Sequence, residues 1–560
     1  MAIKVGGTEV VSDARALSNI TSIDATTAAA IGAGGVGGGG EVDFTASGSL
    51  TNGDLVKLNL DGTVSVIEGG GAGTPAVFES AAVNTTSSTF DSNSNKVVIA
   101  YRDQGNSYYG TAVVGTVSGD SISFGTPVVF RSGNTGTLST TFDSNSNKVV
   151  IAFSQWDLSN YGAAIVGTVS GTSISFGSET VFESATTSYI SATFDSNSNK
   201  VVIAYRDAGN SSYGTAVVGT VSGTSISFGS AVTFQTASVS ATSAICFDST
   251  NNKVVICYRN SGSSHYGTAK VGTVSGTSIS FGTDVFFNSA NTRKIKNVFD
   301  AASGKVVTVF RDYGDSSKGK AVVGTVSGTG ISFGSEVELG AQGAGIGGLA
   351  YDSNTEKTVV SFYDEDDSSK GKSRVGTVSG TSISFGTVAT FDSGTNTLVD
   401  STFDPTTNKV IIIFKDGSDN KGNFITGTVS GTDISFDSKV EFSSSDANPF
   451  DVTYDTNAKK AIVVFDNPTG SNSGDATVIT PSGNYPNLTS ENFIGFSDGA
   501  FATTQSAAIN TTNTIDRNQS GLTAGQTYFV QNNGTIGLTA ASPSVTAGTA
   551  ISATELIVKG

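Results

Sequence analysis

Hydrophobic and polar positions along this chain repeat with a period of about 52 residues. One unit reads FDSNSNKVVIAYRD, then a short polar loop, then YGTAVVGTVSGTSISFGTPVVF. The pentapeptide GTVSG occurs seven times, first at Gly115 and last at Gly427, and an aromatic residue followed by Asp stands at the equivalent position of eight repeats, from Phe90 to Tyr454. A fixed period in a unit of this length is typical of a propeller, a solenoid or another repeat array.

Each unit contains four candidate β-strands, which read TLSTTFD, KVVIAYRD, GTAVVGTV and SISFGTPVVF. These segments are rich in Val, Ile, Phe and Thr and are bounded by Asn, Ser, Asp and Gly, as strands usually are. DSNSN predicts a tight hairpin loop between the first two strands, and SG predicts the turn from the third strand to the fourth. Four strands per repeat predict the blade of a propeller, with a solenoid as the alternative.

The two ends of the repeat favour a closed ring over an open solenoid. After Tyr454 the chain supplies three strands and no fourth, whereas GTPAVF at residues 73–78 matches GTPVVF at residues 125–130. The N-terminal strand 73–79 is therefore predicted to complete the last blade, and this closure removes the exposed strand edges of an open sheet array. We predict an all-β fold whose main part is an eight-bladed propeller over residues 72–482.

The segments that flank the repeats predict a second, smaller β-domain. Residues 53–64 (GDLVKLNLDGTV) align without gaps to residues 525–536 (GQTYFVQNNGTI), and both are typical of a hairpin around a DG or NG turn. We therefore assign residues 41–71 and 483–560 to one flanking β-domain. Residues 1–40 are rich in polar residues and alanine and end in a glycine-rich link, so we predict an extended or partly helical assembly tail that a neighbouring subunit orders.

Composition restricts the partners and the location of the protein. The 560 residues carry a formal net charge of -17, which disfavours binding to the phosphate backbone of a nucleic acid. No apolar run reaches the roughly 18 residues that a membrane span requires, and the N-terminus lacks the apolar segment of a secretion signal. A surface rich in Gly, Ser, Thr and Asn nevertheless looks extracellular. Assembly of a virion in the host cytoplasm reconciles the two observations, so we predict an extracellular or virion location.

Two features that resemble metal or disulfide chemistry are interpreted as structural. Loops such as Asp91, Asn93 and Asn95 resemble half of a calcium loop, but calcium requires six or more oxygen ligands and Lys96 follows directly. We predict simple turns and no metal site. Cys246 and Cys257 stand where other repeats have Thr or Ala, and they are predicted to be buried thiols.

No set of residues indicates catalysis or a cofactor. His265 is the single histidine, and the chain contains no Gly-x-Ser-x-Gly elbow, no metal-spaced histidine pair and no phosphate loop. Asp364 and Asp366 have the residue type of glycosidase carboxylates, yet they occur in one repeat only, on a polar loop. We predict that the protein is not an enzyme and that it has no catalytic residue and no cofactor.

The variable loops between the second and third strands are the best candidates for binding, because loops on a rigid scaffold often carry function. An exposed aromatic ring in these loops can stack on a sugar ring, and the candidates are Trp156, Tyr108, Tyr109, Tyr161, Tyr213 and Tyr266. Packing of the same rings on the neighbouring blade is the alternative. The Arg-Asp steps at Arg102, Arg206 and Arg311 are interpreted as a set of inter-blade salt bridges.

Both ends of the chain and its repeat resemble tail-fibre and other virion structural proteins of tailed bacteriophages, especially aquatic ones. MAIKVGGTEVVSDARALSNITSIDATTAAAIGAGGVGG resembles their virion-proximal start, and SGLTAGQTYFVQNNGTIGLTAASPSVTAGTAISATELIVKG resembles a C-terminal module of the same proteins. FDSNSNKVVIAYRD with GTVSGTSISFG is similar to repeats in such fibres. The resemblance implies a homo-oligomeric structural protein with a role in host attachment, and it supplies no catalytic residues.

The sequence supports three functional hypotheses. The first is a non-enzymatic structural subunit of an extracellular fibre, such as a phage tail fibre, whose propeller face meets host-surface glycans. The alternative is a subunit of a self-polymerising bacterial or environmental filament, in which the N-terminal tail inserts into the β-domain of the next copy. The second alternative is a propeller-type glycan-active enzyme. The predicted partners are copies of the chain itself, other virion proteins and cell-surface glycans, without nucleic acid or membrane insertion.

Overall fold

The computed structural model describes residues 3–5, 8–11, 41–59, 62–67, 71–240, 244–468, 472–481, 493–531, 534–540 and 544–559. These residues form antiparallel strands and two short 3-10 turns, Ser261–Ser263 and Glu365–Asp367, so the prediction of an all-β fold is confirmed. Within the described ranges, no helix is long and apolar enough to cross a membrane. The chain divides into two compact units, a repeat unit, Gly71–Pro481, and a flanking unit, Met1–Gly70 with Ser482–Gly560.

Every repeat begins with two long antiparallel strands that carry the FD and KVVI motifs. The first strands are Val83–Asp91, the second half of Val128–Asp143, Thr187–Asp195, Ala244–Asp248, Thr292–Asp300, Ala344–Asp352, Asn396–Asp404 and Asn448–Asp455. The second strands are Lys96–Asp103, Lys148–Gln155, Lys200–Asp207, Lys253–Asn260, Lys305–Asp312, Lys357–Asp364, Lys409–Asp416 and Lys460–Asn467. The second strands lie in the middle of each sheet and are buried almost throughout, which explains their continuous apolar run.

The third strand of each repeat pairs with the second and carries the GTVSG motif. The third strands are Tyr109–Ser118, Tyr161–Ser170, Tyr213–Ser222, Tyr266–Ser275, Lys318–Ser327, Lys370–Ser379, Lys421–Ser430 and Ser473–Thr480. SISF segments then form short fourth strands, namely Ser121–Phe124, Ser173–Phe176, Ser225–Phe228, Ser278–Phe281, Gly330–Phe333, Ser382–Phe385 and Asp433–Phe436.

The segment predicted as one fourth strand is in fact two strands, and this part of the prediction is wrong. After SISF the chain breaks at a glycine or Asp437 and resumes as a fifth strand along the other half of the third strand. The fifth strands are the first half of Val128–Asp143, Thr180–Glu183, Val232–Ser238, Val285–Asn288, Val337–Glu338, Ala389–Asp392 and Val440–Asp446. Because Val128–Asp143 continues without a break into the next repeat, the first two repeats share one nine-stranded sheet.

The last repeat is completed by residues from the start of the repeat unit. Gly71–Ala72 and Ala76–Glu79 both pair antiparallel with Ser473–Thr480, in the positions of a fourth and a fifth strand. Phe78 packs there against Tyr101 at a ring-centroid distance of 5.1 Å and against Phe124 at 5.7 Å. One terminal segment thus joins the last sheet of the repeat unit to the first.

Apolar side chains fill the space between each sheet and the next. Val98 and Val114 pack with Val149 and Ile151 between the first two repeats, and equivalent clusters join the repeats that follow. The cluster that includes Val97, Ile99, Ile462 and Val464 joins the last repeat to the first. The sheets therefore form a closed ring, and the first strands of neighbouring sheets contact each other at its inner edge.

Backbone conformation and close packing explain why Asp, Asn and Gly recur at fixed positions of the repeat. Asp91 Oδ1 accepts hydrogen bonds from the amides of Asn93 and Ser94 at 2.9 and 3.1 Å, so the carboxylate closes the hairpin loop. Asn95 ends this loop in the left-handed region at φ 55°, which Asn tolerates well. Gly115 leaves little space for a side chain, because an added Cβ would lie 2.7 Å from Ile122 Cδ1 and 3.1 Å from the Phe124 ring.

The flanking unit contains two five-stranded antiparallel sheets among its described residues. The strand order in the first sheet is Glu41–Thr45, Ser506–Asn510, Phe493–Ser497, Leu55–Leu58 and Val64–Val66. The strand order in the second sheet is Ile515–Asp516, Leu556–Val558, Thr546–Ala550, Thr527–Val530 and Ile536–Gly537. The pairing of Leu55–Leu58 with Val64–Val66 and of Thr527–Val530 with Ile536–Gly537 agrees with the two predicted hairpins.

Little of the predicted N-terminal tail falls within the described residues. Ile3–Val5 and Thr8–Val11 pair as a short antiparallel hairpin. The prediction for the rest of residues 1–40, including the glycine-rich link, lies outside the described residues.

Candidate functional site

The variable loops and the connections from one sheet to the next lie together at one end of the sheets, which we call the loop face. In the first, third, fifth and seventh repeats the loop is fixed by the aspartate that ends the second strand. Asp103 Oδ1 accepts the amide hydrogen of Asn106 at 3.0 Å, and Ser107 and Tyr108 follow in the left-handed region at φ 53° and 63°. This turn places Tyr108 one residue before the third strand.

Two predicted aromatic residues, Tyr108 and Trp156, lie against the same arginine side chain. The Arg102 guanidinium carbon is 4.0 Å from the Tyr108 ring centroid and 4.7 Å from the Trp156 ring centroid, both within cation–π range. Tyr108 stays 41% exposed and Trp156 46% exposed, while Arg102 is buried. The loop face therefore carries an exposed aromatic pair on an arginine, which we call the Trp156 cluster.

Neutral side chains of two neighbouring repeats hold Arg102. Its Nε and Nη2 donate to Asn134 Oδ1 at 3.2 and 3.0 Å, and its Nη1 donates to Asn84 Oδ1 at 3.3 Å. Burial lowers the pKa of Arg102 from its ordinary value. The guanidinium is thus fixed in position by three hydrogen bonds that do not neutralise it.

The other four predicted aromatics lie elsewhere. Tyr109, Tyr161, Tyr213 and Tyr266 are each the first residue of a third strand, at equivalent places in successive repeats, and each is half-buried. Tyr266 packs edge-on against Phe286 at a ring-centroid distance of 5.3 Å. The six residues do not form one site, and the role of these four in binding stays a prediction.

The Arg-Asp steps do not form the predicted set of inter-blade salt bridges. Arg311 does bind Glu365 of the next repeat, at 2.6 Å, but Arg102 reaches the neutral Asn134 instead. Arg206 donates to Ser212 Oγ at 2.7 Å within its own repeat. The aspartates of these steps accept hydrogen bonds from backbone amides of their own loops. These carboxylates therefore stabilise the loop turns and do not pair with the adjacent arginine.

A row of strained residues on the loop face was missed by the sequence prediction. Near the start of four first strands one residue has a positive φ between 49° and 53°, where the pairing register shifts, and these residues are Thr85, Tyr189, Lys294 and Leu398. Such backbone is costly for side chains of this size, and strain of this kind is often found at binding sites. The only signal in the sequence is that this position does not follow the repeat.

Arg293 and Tyr313 extend the loop face beyond the fourth repeat. The Tyr313 ring lies between two guanidinium groups, those of Arg293 and Arg311, each 4.9 Å from its centroid. Arg293 and Tyr313 are both exposed.

Burial lowers the pKa of His265, and the positive charges of Arg259 and Arg293 lower it further.

Charged residues also line the inner edge of the ring. Lys296 Nζ binds Asp400 Oδ1 at 2.9 Å across the position of Gly348, and Asp451 Oδ2 accepts the Ser88 amide at 2.7 Å. Burial raises the pKa of Asp451, and the charge of Asp400 raises it further. These contacts join first strands of different repeats.

Most of the candidate metal or catalytic residues have structural partners. Asp91 and its equivalents close hairpin loops, and the described ranges contain no group of three or more His, Cys, Asp and Glu arranged to hold a metal ion. Asp364 binds Lys372 at 2.8 Å, whereas Asp366 is exposed on the adjoining 3-10 turn. Cys246 and Cys257 are free thiols, and burial raises the pKa of both.

The closed ring of twisted antiparallel sheets defines a β-propeller. No protein-family model and no curated protein sequence matches the chain. Solved structures resemble it at low identity. The BP39L lectin from Burkholderia pseudomallei has a TM-score of 0.46 and 10% identity, with coverage of 65% of this chain and 100% of that chain. The periplasmic gluconolactonase PpgL of Pseudomonas aeruginosa has a TM-score of 0.39 and 12% identity, with coverage of 65% and 97%. Likenesses this distant carry no argument about function.

Proposed function

We propose that the chain is a non-enzymatic structural subunit of an extracellular fibre, most naturally a phage tail fibre or related virion protein, whose loop face binds glycans of a host surface. The observation that carries the binding role is the Trp156 cluster. An exposed Trp and an exposed Tyr, both packed on a buried arginine, offer rigid flat surfaces at one place on the loop face.

The scaffold for this role is an eight-bladed propeller. Eight first strands, eight second strands and eight third strands among the described residues support this blade count, as does the pairing of Ala76–Glu79 with the last repeat. A closed ring holds its loops rigidly, so a ligand loses little affinity to loop ordering. Stacking on two fixed aromatic rings is therefore an effective way to bind saccharide.

A saccharide microarray probed with the labelled full chain tests the binding role. We expect reproducible binding to a limited set of glycans by the wild type. Trp156→Ala removes one ring of the cluster and should abolish most of the signal. Leu158→Ala, which changes an exposed apolar residue of the same loop, is the matched control and should keep it. An array on which the wild type binds no glycan would overturn the proposal.

The self-polymerising filament remains the alternative, and one observation favours it. Glu41–Thr45 is one of the two edge strands of its sheet among the described residues and is largely exposed, so this edge can accept a strand from another subunit. Negative-stain microscopy of the full chain beside a variant lacking residues 1–40 separates the two assemblies. Filaments formed by the full chain alone support the alternative, whereas discrete particles from both proteins support a fibre subunit that docks to a different protein.

A further inference from the structure

Several arginines of the loop face lack a carboxylate partner, although the chain is strongly acidic. Its 48 Asp and Glu residues outnumber its 31 Lys and Arg residues. In the described part of the chain, four loop-face arginines nevertheless form no ion pair, and these are Arg102, Arg206, Arg259 and Arg293. By contrast, Arg131, Arg311 and Arg517 all pair with carboxylates. Arg374 also forms no ion pair, but its guanidinium donates to the backbone carbonyl oxygens of Glu338, Phe385 and Gly386. The lack of a counter-ion is thus a property of these particular arginines, since other basic residues of the loop face, such as Lys320 and Lys372, are paired.

Arg259 is the most informative of the four. Only 8% of it is exposed, and its hydrogen bonds go to neutral acceptors. Nε and Nη2 donate to Asn291 Oδ1 at 3.2 and 3.0 Å, and Nη1 donates to Ser240 Oγ at 2.8 Å. A buried charge without an opposite charge is unfavourable, so its retention needs a reason. An anion that binds from solvent supplies the missing charge.

The groups around Arg259 are suited to a ligand that carries both a ring and an acid. Arg293 begins the next repeat and is exposed, with its guanidinium stacked on Tyr313 at 4.9 Å. Tyr189, from the preceding repeat, lies close enough to interact electrostatically with Arg259 and is itself exposed. Guanidinium groups bind carboxylate and sulfate groups in a bidentate manner, and aromatic rings pack on the apolar face of a sugar.

We propose that this part of the loop face binds an acidic saccharide, with its carboxylate or sulfate group between Arg259 and Arg293 and its ring against Tyr189 or Tyr313. The inference rests on the glycan-binding role proposed above and adds the class of glycan. The acidic site is distinct from the Trp156 cluster, because it is built from the third, fourth and fifth repeats. Its affinity falls as salt concentration rises, since the attraction between the charges is screened.

The test is a titration of the full chain with two pairs of probes. Hexagalacturonate is compared with its fully methyl-esterified form, and a sulfated dextran oligomer is compared with its unsulfated parent. The key variant is Arg293→Gln, which changes an exposed side chain and removes no ion pair of the described residues. Arg517→Gln is the matched control, because it removes an equal charge from an exposed arginine of the flanking unit.

We expect at least one acidic probe to bind the wild type about tenfold more tightly than its neutral partner, as a charged hydrogen-bonding group commonly provides. Arg293→Gln should remove this preference, while Arg517→Gln should keep it. Whichever acidic probe binds, the carboxylate or the sulfate, then identifies the acidic group of the natural saccharide. Equal binding of acidic and neutral probes overturns the acidic site but leaves the glycan-binding role intact. Equal losses in the two variants also overturn it, because they indicate attraction without a site.

Discussion

Arg102 brings together Trp156 and Tyr108, whose proximity the sequence alone does not reveal. Trp156 and Tyr108 stand out in the sequence because they depart from the repeat, so their loops could be selected as binding candidates. Their common contact with one guanidinium depends on how two neighbouring sheets pack, and no local pattern encodes it. Tyr189 and Lys294 were missed because a register shift turns them outward, and register shifts have no reliable sequence signature.

Two glycines of one repeat should respond in opposite ways to the same substitution. A Cβ at Gly324 would lie 2.6 Å from Ile331 Cδ1, whereas a Cβ at Gly330 meets no atom closer than 3.8 Å. Gly324→Ala is expected to lower the free energy of unfolding by about 1–3 kcal/mol through overpacking. Gly330→Ala should raise it by about 0.5 kcal/mol, because alanine restricts the unfolded chain. Urea denaturation measures both, and equal effects would contradict the packing described here.

At the scale of elements, the strand Ala76–Glu79 closes the propeller. Its Phe78 side chain is buried in the closure, whereas its Val77 side chain is exposed. Phe78 is 4% exposed and packs on Tyr101 and Phe124, whereas Val77 is 53% exposed. Phe78→Ala is expected to lower the free energy of unfolding by about 3–5 kcal/mol, as a buried Phe usually does. Val77→Ala should change it by less than about 0.5 kcal/mol. If thermal or urea unfolding gives similar values for both variants, this strand does not close the ring.

The inner strands should show a pH-dependent stability at Asp451. Burial and Asp400 raise the pKa of this carboxyl in the folded chain, so the folded state binds its proton more tightly than the unfolded state does. The resulting stability is present at low pH and is lost as pH rises from the ordinary carboxyl pKa of about 3.9 through the raised value. Asp451→Asn does not titrate and retains an acceptor for Ser88. Its stability relative to the wild type should therefore increase with pH across this window, and a flat difference in urea unfolding free energy would refute the assignment.

The strand prediction succeeded where the chain is strongly periodic and failed where one apolar segment forms two successive strands. KVVI and GTVSG segments form the predicted second and third strands in every complete repeat. SISFGTPVVF looks continuous in sequence because both halves contain the β-branched and aromatic residues that are typical of strands. At the break Gly125 lies so close to the next repeat that an added Cβ would be 1.7 Å from the Thr172 carbonyl oxygen. This contact between repeats cannot be read from one repeat alone.

At the scale of the whole molecule, the sequence period and the incomplete last repeat were enough to predict a ring. Closure follows from matching GTPAVF with GTPVVF, and the pairing of Ala76–Glu79 with Ser473–Thr480 has the expected antiparallel register. The flanking unit was harder to predict. Its two hairpins could be recognised, but the pairing of Glu41–Thr45 with Ser506–Asn510 joins residues far apart in sequence that share no motif.

The central claim is that the loop face binds glycan through the Trp156 cluster, and a calorimetric titration tests it most directly. The best microarray glycan is titrated into the full wild-type chain, Trp156→Ala and Leu158→Ala, with thermal unfolding recorded for each. We predict that Trp156→Ala weakens binding at least about tenfold, by analogy with the roughly 1–3 kcal/mol that stacking of one base on an aromatic side chain is worth in proteins that bind single-stranded nucleic acids. Leu158→Ala should bind like the wild type, and all three proteins should unfold at similar temperatures. Equal affinities for the wild type and Trp156→Ala would contradict the claim.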